Sequence, residues 1–293
     1  MIDVPRDAVG GAPLDLVVQA PSVVREDMAI LADLTDAEDV EPLARIGPTE
    51  AYRLRNVRAW DGVSEACDAS QYDCALVPQR RARSRVSLVA LDMDSTLITI
   101  ECIDEIADLH GIKPQIAAIT DLAMRGDIDF RESLTRRVGL LAGLPVEALE
   151  RVYSERIRLT PGVQIMLDTF KAQGAKTLLV SGGFTFFTER LRASTGIDFA
   201  IANELEIVDG RLTGRIVGDI VDAQTKARTF RRIGDRHRGV EGITVAIGDG
   251  ANDLPMLEQA DISIAYRAKP KVRAQAMHAI DHCGLDAVVN LFG

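Results

Sequence analysis

Apolar runs of strand length alternate with helix-period segments through the chain after residue 85. The runs are nearly continuous, as in strands that a parallel sheet buries on both faces. They cover residues 86–91, 176–180, 244–247 and 262–265. Because helical patterns such as 163–173 and 224–234 lie between them, the chain predicts an α/β fold with a doubly wound, Rossmann-like parallel sheet.

About 80 residues separate the first two of these strands, far more than a single crossover needs. The spacing of apolar positions predicts four helices in this interval, at residues 103–110, 115–124, 130–141 and 146–157. The insertion leaves the sheet at the carboxyl end of the first strand, where ligands bind in open α/β sheets. Residues 101–162 are therefore predicted to form a helical cap over a site. Further along, short strands on either side of Asp209-Gly210 predict a β-hairpin.

A different pattern precedes residue 85. A strand at 14–18 leads into a helix with Ser22 as its N-cap. Two strands, a weaker helix and a last strand follow, at 42–46, 52–57, 59–69 and 74–77. The order βαββαβ predicts an α+β, ferredoxin-like domain over residues 1–84, followed by the α/β domain at 85–293. The arginine-rich run 79–85 is interpreted as a solvated linker, because it is short and lies in an acidic chain.

Composition and charge narrow the function classes. With 47% hydrophobic and 27% charged residues, the chain has an ordinary globular composition, which excludes a disordered or fibrous protein. Its 34 basic and 44 acidic residues give a net charge of −10, which disfavours nonspecific binding to nucleic acid or to an anionic membrane. No apolar run is long enough to span a bilayer, and residues 1–7 lack a secretory pattern. A cytoplasmic location is therefore expected.

The number and spacing of the four cysteines also favour a cytoplasmic location. None of them forms a CxxC pair, and only four histidines accompany them, so a zinc site is disfavoured. Free thiols in a reducing compartment are the expectation.

Carboxylates follow two of the predicted strands. Asp92 and Asp94 come directly after residues 86–91, and their apolar neighbours predict a partly buried pair, which is costly unless a metal ion or a proton neutralises one member. Asp249 and Asp253 lie in a glycine-rich turn after residues 244–247, and their oxygens are ligands that Mg²⁺ prefers. A strand-end turn and a helix N-cap are the structural alternatives.

Two further segments offer donors for an anion. Ser181-Gly182-Gly183 follows the strand at 176–180 and supplies a hydroxyl and backbone N–H groups, as phosphate-binding turns do. Lys226 stands early in a predicted helix and is one of only six lysines. Taken singly, a structural Gly-Gly turn and a solvated surface lysine are the alternatives.

Taken together, the motifs have a specific order. Asp92 and Asp94, Ser181, Lys226, and Asp249 with Asp253 form the four-motif pattern of the haloacid dehalogenase (HAD) superfamily, which the chain resembles across residues 85–293. The variant is similar to that of the superfamily's phosphoserine phosphatases. The resemblance rests on the segments DMDSTLITIECIDEIA, DFRESLTRRVGLLAGL, SGGF and GDGANDLPML. A true dehalogenase is disfavoured, since that branch typically lacks the second aspartate and needs no magnesium.

The resemblance implies a reaction through an aspartyl-phosphate. Asp92 is then the nucleophile, and Asp94 the general acid and later the general base. Mg²⁺ would be held by the Asp92 carboxylate, the Asp94 backbone carbonyl and Asp249, with Asp253 supporting the magnesium waters.

The resemblance also implies how the phosphate group is bound. Ser181, the Gly182 N–H and Lys226 would contact its oxygens, and Asn252 corresponds to a further residue of the last motif. The activity implied is Mg²⁺-dependent hydrolysis of phosphoserine in serine biosynthesis. The alternative is a related small-metabolite phosphatase or a phosphotransferase that passes the phosphoryl group to homoserine.

Substrate choice is expected to lie in the cap. By resemblance, Glu101 binds the ammonium group of phosphoserine and Arg137 binds its carboxylate, while Met124 and Phe130 act as lid residues. The alternatives are that Glu101 is an acid at a helix N-terminus and that one of the neighbouring Arg136 and Arg137 is a surface charge. The N-terminal domain resembles an ACT module, for which pairing into a homodimer is more expected than serine sensing.

Overall fold

Two β-sheets organise the protein. The computed structural model describes residues 12–239 and 242–292, apart from the side chains of residues 82 and 83. Residues 1–7, whose sequence lacks a secretory pattern, lie outside the described residues. The smaller sheet is built from residues 14–78 and the larger one from residues 85–280. No helix in the described ranges is long and apolar enough to cross a membrane. Cys67, Cys74, Cys102 and Cys283 are free thiols.

The smaller sheet has four antiparallel strands in the order β2-β3-β1-β4. Its elements follow one another as strand, helix, strand, strand, helix and strand, in the predicted order. They are β1 (Leu14–Ala20), α1 (Arg25–Thr35), β2 (Asp39–Pro42), β3 (Glu50–Val57), α2 (Val63–Ala69) and β4 (Asp73–Pro78). The second strand was expected at 42–46 but ends at Pro42, because residues 43–49 form the connection to β3.

Both faces of β1 are covered, and all seven of its residues are buried. On one face, Leu16 and Val18 pack in the apolar core that the sheet shares with α1 and α2. On the other face, Val17 belongs to the core of the larger unit, and Gln19 accepts a hydrogen bond from Asn290 Nδ2 at 2.9 Å. The small sheet is therefore packed against the rest of the chain through this second face.

The arginine-rich run between the sheets corrects one prediction. Residues Gln79–Arg83 form a 3-10 turn, and Arg81 is 1% exposed rather than solvated. Its Nη1 lies 2.6 Å from His278 Nε2, and its Nη2 contacts Met277 Sδ at 3.5 Å. The prediction of a solvated linker was wrong for this residue, because the run lies against the strand that contains His278.

The larger sheet confirms the predicted α/β fold. Seven strands take the order β11-β10-β9-β5-β6-β7-β8, and all neighbours are parallel except β7 and β8. They are β5 (Arg85–Leu91), β6 (Lys176–Phe184), β7 (Phe199–Val208), β8 (Arg211–Val217), β9 (Gly242–Gly248), β10 (Ile262–Tyr266) and β11 (His278–Ile280). The hairpin of β7 and β8 turns at Asp209-Gly210, where both residues have positive φ, as predicted.

A helical insertion separates β5 from β6, as predicted. Its helices are α3 (Cys102–Leu109), α4 (Lys113–Arg125), α5 (Phe130–Gly139) and α6 (Glu147–Arg151), and a π-type turn at Val152–Arg156 extends the last of them. The helices around the sheet are α7 (Val163–Ala172), α8 (Thr185–Thr195), α9 (Ala223–His237), α10 (Leu254–Leu257) and α11 (Pro270–Arg273), and a 3-10 helix at Leu285–Leu291 follows. Separate apolar clusters on the two faces of the sheet fix its position between these helices.

Candidate active site

The predicted motifs meet at the carboxyl edge of the larger sheet. The β5 strand lies between β9 and β6, so the segments that follow these three neighbours leave the sheet side by side. Asp92 follows β5, Asp249 follows β9, and Ser181 lies near the end of β6. A π-type turn at Met93–Leu97 bends the chain directly after Asp92, with Ser95 in the left-handed region at φ 55°.

Asp92 lies at the centre of the site and is 5% exposed. Its Oδ1 accepts a hydrogen bond from the Met93 N–H at 2.7 Å, which fixes the carboxylate at the start of the turn. Its Oδ2 lies 2.6 Å from Lys226 Nζ and accepts from Asn252 Nδ2 at 3.3 Å. Three segments that are distant in sequence therefore meet at one carboxylate.

Lys226 is buried in the first turns of α9 and bridges two acids. Its Nζ lies 2.9 Å from Asp253 Oδ1 as well as 2.6 Å from Asp92. Burial works against the charged ammonium, but the attraction of Asp253 and Asp92 outweighs it and raises the pKa of Lys226. The lysine is a fixed positive charge in the site, and its alternative interpretation as a solvated surface residue is wrong.

Asp92, Asp249 and Asp253 can each direct one oxygen to within 4.8 Å of the others. Burial and the neighbouring charge of Asp92 raise the pKa of Asp249 to about 7 and that of Asp253 to about 8. Carboxylates that repel one another in this way favour a cation between them. Asp253 uses both oxygens internally, accepting from Lys226 and from the Gly250 N–H at 3.1 Å. Asp249 accepts a hydrogen bond on Oδ1 alone within the described ranges, so it is better placed than Asp253 to hold a divalent cation directly.

Asp94 occupies the middle of the turn and differs from Asp92 in its surroundings. Its Oδ1 accepts from the Cys102 N–H at 3.3 Å at the start of α3. Removal from water, together with the charges of Glu101 and Asp92, raises the pKa of Asp94 well above its ordinary value. A raised pKa favours the protonated form, which is the form that a general acid needs.

Glu101 lies at the N-cap position of α3, but its side chain does not cap the helix. Its Oε1 accepts a hydrogen bond from Ser95 Oγ at 2.7 Å, which connects Glu101 to the Met93–Leu97 turn. Partial removal from water raises its pKa, and the charge of Asp92 acts in the same direction. Glu101 therefore lies at a helix N-terminus, as the alternative expects, but its side chain is bound to Ser95 and not to the helix backbone.

Two glycines bring β6 close to the other motifs. A methyl group on Gly183 would lie 2.7 Å from Met93 Cε and 3.1 Å from Asp94 Oδ2, so a larger residue would have to displace these side chains. The Gly183 N–H donates to Ser181 Oγ at 2.8 Å, and Ser181 is buried. On the cap side, Phe130 Cζ would lie 3.1 Å from a methyl group on Gly182, so this ring covers the loop.

The other candidate residues of the cap differ in burial: Arg137 is partly buried, whereas Arg136 and Met124 are exposed. Arg136 is exposed and pairs with Glu132 one turn earlier, so it is the surface charge of the two arginines. Arg137 lies partly buried on the same helix, and removal from water lowers its pKa although Asp104, Glu101 and Asp94 oppose this. Its buried Nε has no hydrogen-bond partner within the described ranges. Met124 is 67% exposed on α4, so the structure does not bring it into the site and its lid role stays a prediction.

Several residues that organise the site were not predicted from the sequence. Thr96 Oγ1 donates to Asp249 Oδ1 at 3.0 Å, and Ser95 holds Glu101. Asp222 caps α9 by accepting from the Thr225 N–H at 2.9 Å, and it also pairs with Arg131 of the cap at 2.9 Å. The Asp-x-x-Thr pattern before Lys226 was a recognisable capping signal, whereas the cross-domain pair with Arg131 has no local signature.

Comparison with known proteins agrees with this arrangement. A sequence profile of the haloacid dehalogenase-like hydrolases matches residues 89–258. The chain belongs to this family. The matched segment runs from β5 past Asp253 and so contains the nucleophile and acid candidates, the cap, Lys226 and the acidic turn. As in other family members, a divalent metal ion fits the acidic cluster.

Several curated relatives of this HAD family protein are named phosphoserine phosphatase. A phosphoserine phosphatase of Polaromonas sp. is 51% identical over 217 residues, covering 71% of the chain and 90% of the relative. One from Archaeoglobus fulgidus is 45% identical over 259 residues, 86% of the chain and 72% of the relative. The crystal structure of a probable phosphoserine phosphatase from Vibrio cholerae, in unliganded form, superposes with a TM-score of 0.81 at 36% identity, covering 95% of the chain and 86% of that structure.

Proposed function

We propose that the protein is a Mg²⁺-dependent phosphoserine phosphatase, which hydrolyses O-phospho-L-serine to L-serine and phosphate. The observation that carries the proposal is the pairing of two chemically distinct carboxyl groups at one strand end: Asp92, bound to Lys226, and Asp94, with its raised pKa. The names of the relatives support the same substrate.

In the proposed reaction, Asp92 attacks the phosphorus atom and the ester bond to serine breaks. Asp94 gives its proton to the departing serine oxygen, which its raised pKa favours. The same group, now a carboxylate, takes a proton from the water that hydrolyses the aspartyl-phosphate. Mg²⁺, held by Asp92, Asp249 and the Asp94 carbonyl and supported by Asp253, would neutralise charge on the phosphoryl oxygens.

Residues of β6 and α9 are proposed to neutralise the remaining charge of the phosphate group. Lys226 is the buried cation next to Asp92, and the Ser181 hydroxyl and Gly182 N–H lie in the glycine loop beside Asp94. Asn252, which donates to Asp92, would hold the nucleophile in position. Fixed donors of this kind stabilise charge without reorganising during the reaction.

Arg137 and Glu101 are proposed to select the serine part of the substrate. Arg137 is partly buried, and its buried Nε has no hydrogen-bond partner among the described residues, which suits a carboxylate ligand. Glu101 is a carboxylate near Asp94 and can pair with the ammonium group. Phe130, over Gly182, and Met124 would close over the bound substrate.

For residues 1–84 we propose a ferredoxin-like, ACT-like domain, with the catalytic domain at 85–293 and its cap at about 101–162. The βαββαβ element order and the β2-β3-β1-β4 sheet support this. Pairing of this domain into a homodimer and a cytoplasmic location remain predictions.

A substrate panel tests the function. With Mg²⁺, we expect phosphate release from O-phospho-L-serine to exceed that from sugar phosphates by at least about 100-fold in kcat/KM, since each lost charged contact costs about 2–3 kcal/mol. Phosphothreonine keeps both charged groups and adds one methyl group, so a preference of about 10-fold or more is expected over it. Phosphoethanolamine, which lacks only the carboxylate, isolates the contribution of Arg137. A sugar phosphate as the best substrate would contradict the proposal. Rapid formation of phosphohomoserine on addition of homoserine would instead favour the phosphotransferase.

A further inference from the structure

A buried amide connects the two segments that are proposed to bind the phosphate group. Asn203 lies in β7 and is 1% exposed. Its Nδ2 donates to the Gly182 carbonyl at 2.8 Å, and its Oδ1 accepts from the Val221 N–H at 2.8 Å. Asn203 has no role in the proposed reaction, although its side chain is hydrogen-bonded directly to Gly182 in the glycine loop.

The Gly182 carbonyl needs a partner because the sheet is irregular there. Val180 of β6 pairs with Ile201 of β7, but the next pair joins Phe184 to Asn203. Four residues on β6 are thus matched by two on β7, and Ser181–Gly183 leave the regular ladder. A buried carbonyl without a partner destabilises a fold, and the Asn203 side chain supplies the donor that the strand cannot.

The other end of the amide acts on α9. Val221 immediately precedes Asp222, whose carboxylate caps the helix by accepting from the Thr225 N–H at 2.9 Å. Lys226 follows one residue later and lies in the same first turns. Because Asn203 holds the Val221 N–H, it fixes the point from which the lysine helix starts.

The chemistry of an amide suits both contacts. The Gly182 carbonyl requires a donor and the Val221 N–H requires an acceptor, and asparagine offers one of each on a short side chain. A carboxylate would keep the acceptor but would turn its second oxygen toward the Gly182 carbonyl. A methyl group would make neither hydrogen bond.

We propose that Asn203 is a positioning residue that holds the Ser181–Gly182 loop and the Lys226 helix at the correct separation for a phosphate group. This rests on the proposed function, in which both segments bind phosphoryl oxygens. Asn203 has no hydrogen bond to Asp92, Asp249 or Asp253 among the described residues. Its direct contacts are therefore with the two proposed phosphate-binding segments, and it reaches the acidic cluster only indirectly, through Lys226.

The test compares the full chain with the variants Asn203→Ala and Asn203→Asp. The matched control is Asn290→Ala, which removes another buried amide that donates to Gln19, away from the site. For both Asn203 variants we expect the inhibition constant of orthophosphate and the KM for phosphoserine to rise about tenfold or more, as for loss of one well-placed contact. Mg²⁺ binding in the absence of substrate should stay within about twofold, as expected when the metal ligands are undisturbed.

Thermal unfolding distinguishes a positioning role of Asn203 from a general loss of stability. Asn203→Ala and Asn290→Ala should lower the melting temperature to a similar extent, but only the former should weaken orthophosphate binding. Unchanged orthophosphate inhibition in a folded Asn203 variant would overturn the proposal, as would an equal loss of phosphate affinity in Asn290→Ala. Failure of both Asn203 variants to fold would also overturn it, because the role would then be structural.

The outcome can be distinguished from a failure of the proposed function. If phosphoserine is a poor substrate of the wild-type protein, the function proposal fails. Orthophosphate binding to the magnesium-loaded wild type and variants, measured by calorimetry, then still tests Asn203 directly.

Discussion

Buried carboxylates in two regions of the molecule are stabilised in different ways. At the contact between the sheets, Asp73 accepts hydrogen bonds from the backbone N–H groups of Asp281 at 2.7 Å, His282 at 3.1 Å and Cys283 at 2.8 Å. At the catalytic edge, three carboxylates lie around the single ammonium of Lys226. Backbone donors satisfy the Asp73 carboxylate, whereas the three catalytic-edge carboxylates carry more negative charge than the one Lys226 ammonium balances.

The difference separates a structural acid from a reactive one. Backbone donors are fixed and complete, so they hold two parts of the chain together and leave nothing for a ligand. Crowded carboxylates with raised pKa values store repulsion that a ligand relieves, which is typical of functional sites. Substitutions in the two regions test this contrast, and the largest effect is expected at Asp92.

Replacing Asp92, the proposed nucleophile, should abolish turnover. We expect Asp92→Asn to lower kcat by at least about 10³-fold, as loss of a catalytic nucleophile does in other enzymes. Its fold should be retained, because the change removes one charge from a repulsive cluster. Phosphate release and circular dichroism measure the two properties. Activity near the wild-type level would exclude an aspartyl-phosphate at this position.

Two adjacent arginines should differ sharply. Arg137→Ala should lower kcat/KM for phosphoserine roughly 30–150-fold, the equivalent of about 2–3 kcal/mol for a charged hydrogen-bonded contact. Arg136→Ala is the matched control and should leave kcat/KM unchanged, because Arg136 pairs with Glu132 on the surface. Phosphoethanolamine kinetics should change little in either variant. Equal losses in the two variants would contradict the assignment of Arg137.

The structural acid should affect stability and not catalysis. We expect Asp73→Ala to lower the free energy of unfolding by about 2–4 kcal/mol, since it leaves three buried N–H groups without an acceptor. The urea midpoint measures this loss. The kcat/KM per folded molecule should match the wild type. A selective loss of activity at unchanged stability would place Asp73 on the catalytic side of the contrast.

The catalytic acids should make the metal-free protein sensitive to pH. The pKa values of Asp249 and Asp253 are raised to about 7 and about 8, so their neutral forms favour the folded state at low pH. This stabilisation is lost as the pH rises from their ordinary values near 4 through about 8, because both groups must then ionise. In EDTA we therefore expect the melting temperature to fall between pH 6 and pH 8.

Magnesium reverses this trend, because it binds the ionised carboxylates. The thermal shift on adding Mg²⁺ should therefore be larger at pH 8 than at pH 6. Asp249→Asn is the control and should flatten both dependences. A magnesium shift that is independent of pH would contradict the role of Asp249.

The smallest effect is expected at the ion pair between the cap and the core. Arg131→Ala removes the contact with Asp222, which is partly exposed, so a cost of about 0.5–1 kcal/mol is expected. The KM for phosphoserine should rise about twofold to fivefold, because the closed cap is less favoured. Arg125→Ala, which breaks a pair with Asp127 inside the cap, should leave the KM unchanged. High salt should diminish the difference between Arg131→Ala and the wild type.

Much of the catalytic region could be predicted because its determinants are local. The apolar run before Asp92 predicts a buried strand, and parallel strands bring their carboxyl ends to one edge. Asp92, Ser181 and Asp249 are therefore neighbours as a consequence of strand order. Arg137 could be named from its motif, but its distinction from Arg136 needed the packing of α5.

The contact between the two sheets could not be predicted in the same way. Arg81 is buried against residues close to 200 positions later in the chain, so its sequence neighbours carry no signal of its burial. Ser22 was expected to cap α1, but the helix begins at Arg25. Tyr72 replaces the cap, because its hydroxyl accepts from the Val24 N–H at 3.0 Å and donates to Asp27 at 2.6 Å. Each of these outcomes depends on a partner that local patterns do not reveal.

The double coverage of β1 has a consequence for synthesis on the ribosome. Gln19 and its partner Asn290 are 271 residues apart, a distance that takes roughly 15–55 s to translate at 5–20 residues per second. During that interval, the second face of the first-made sheet, with Val17 on it, has no cover from the chain's own later residues. The nascent protein therefore exposes an apolar surface that a chaperone could bind. The last elements to emerge, β11 and the 3-10 helix at Leu285–Leu291, would then displace the chaperone.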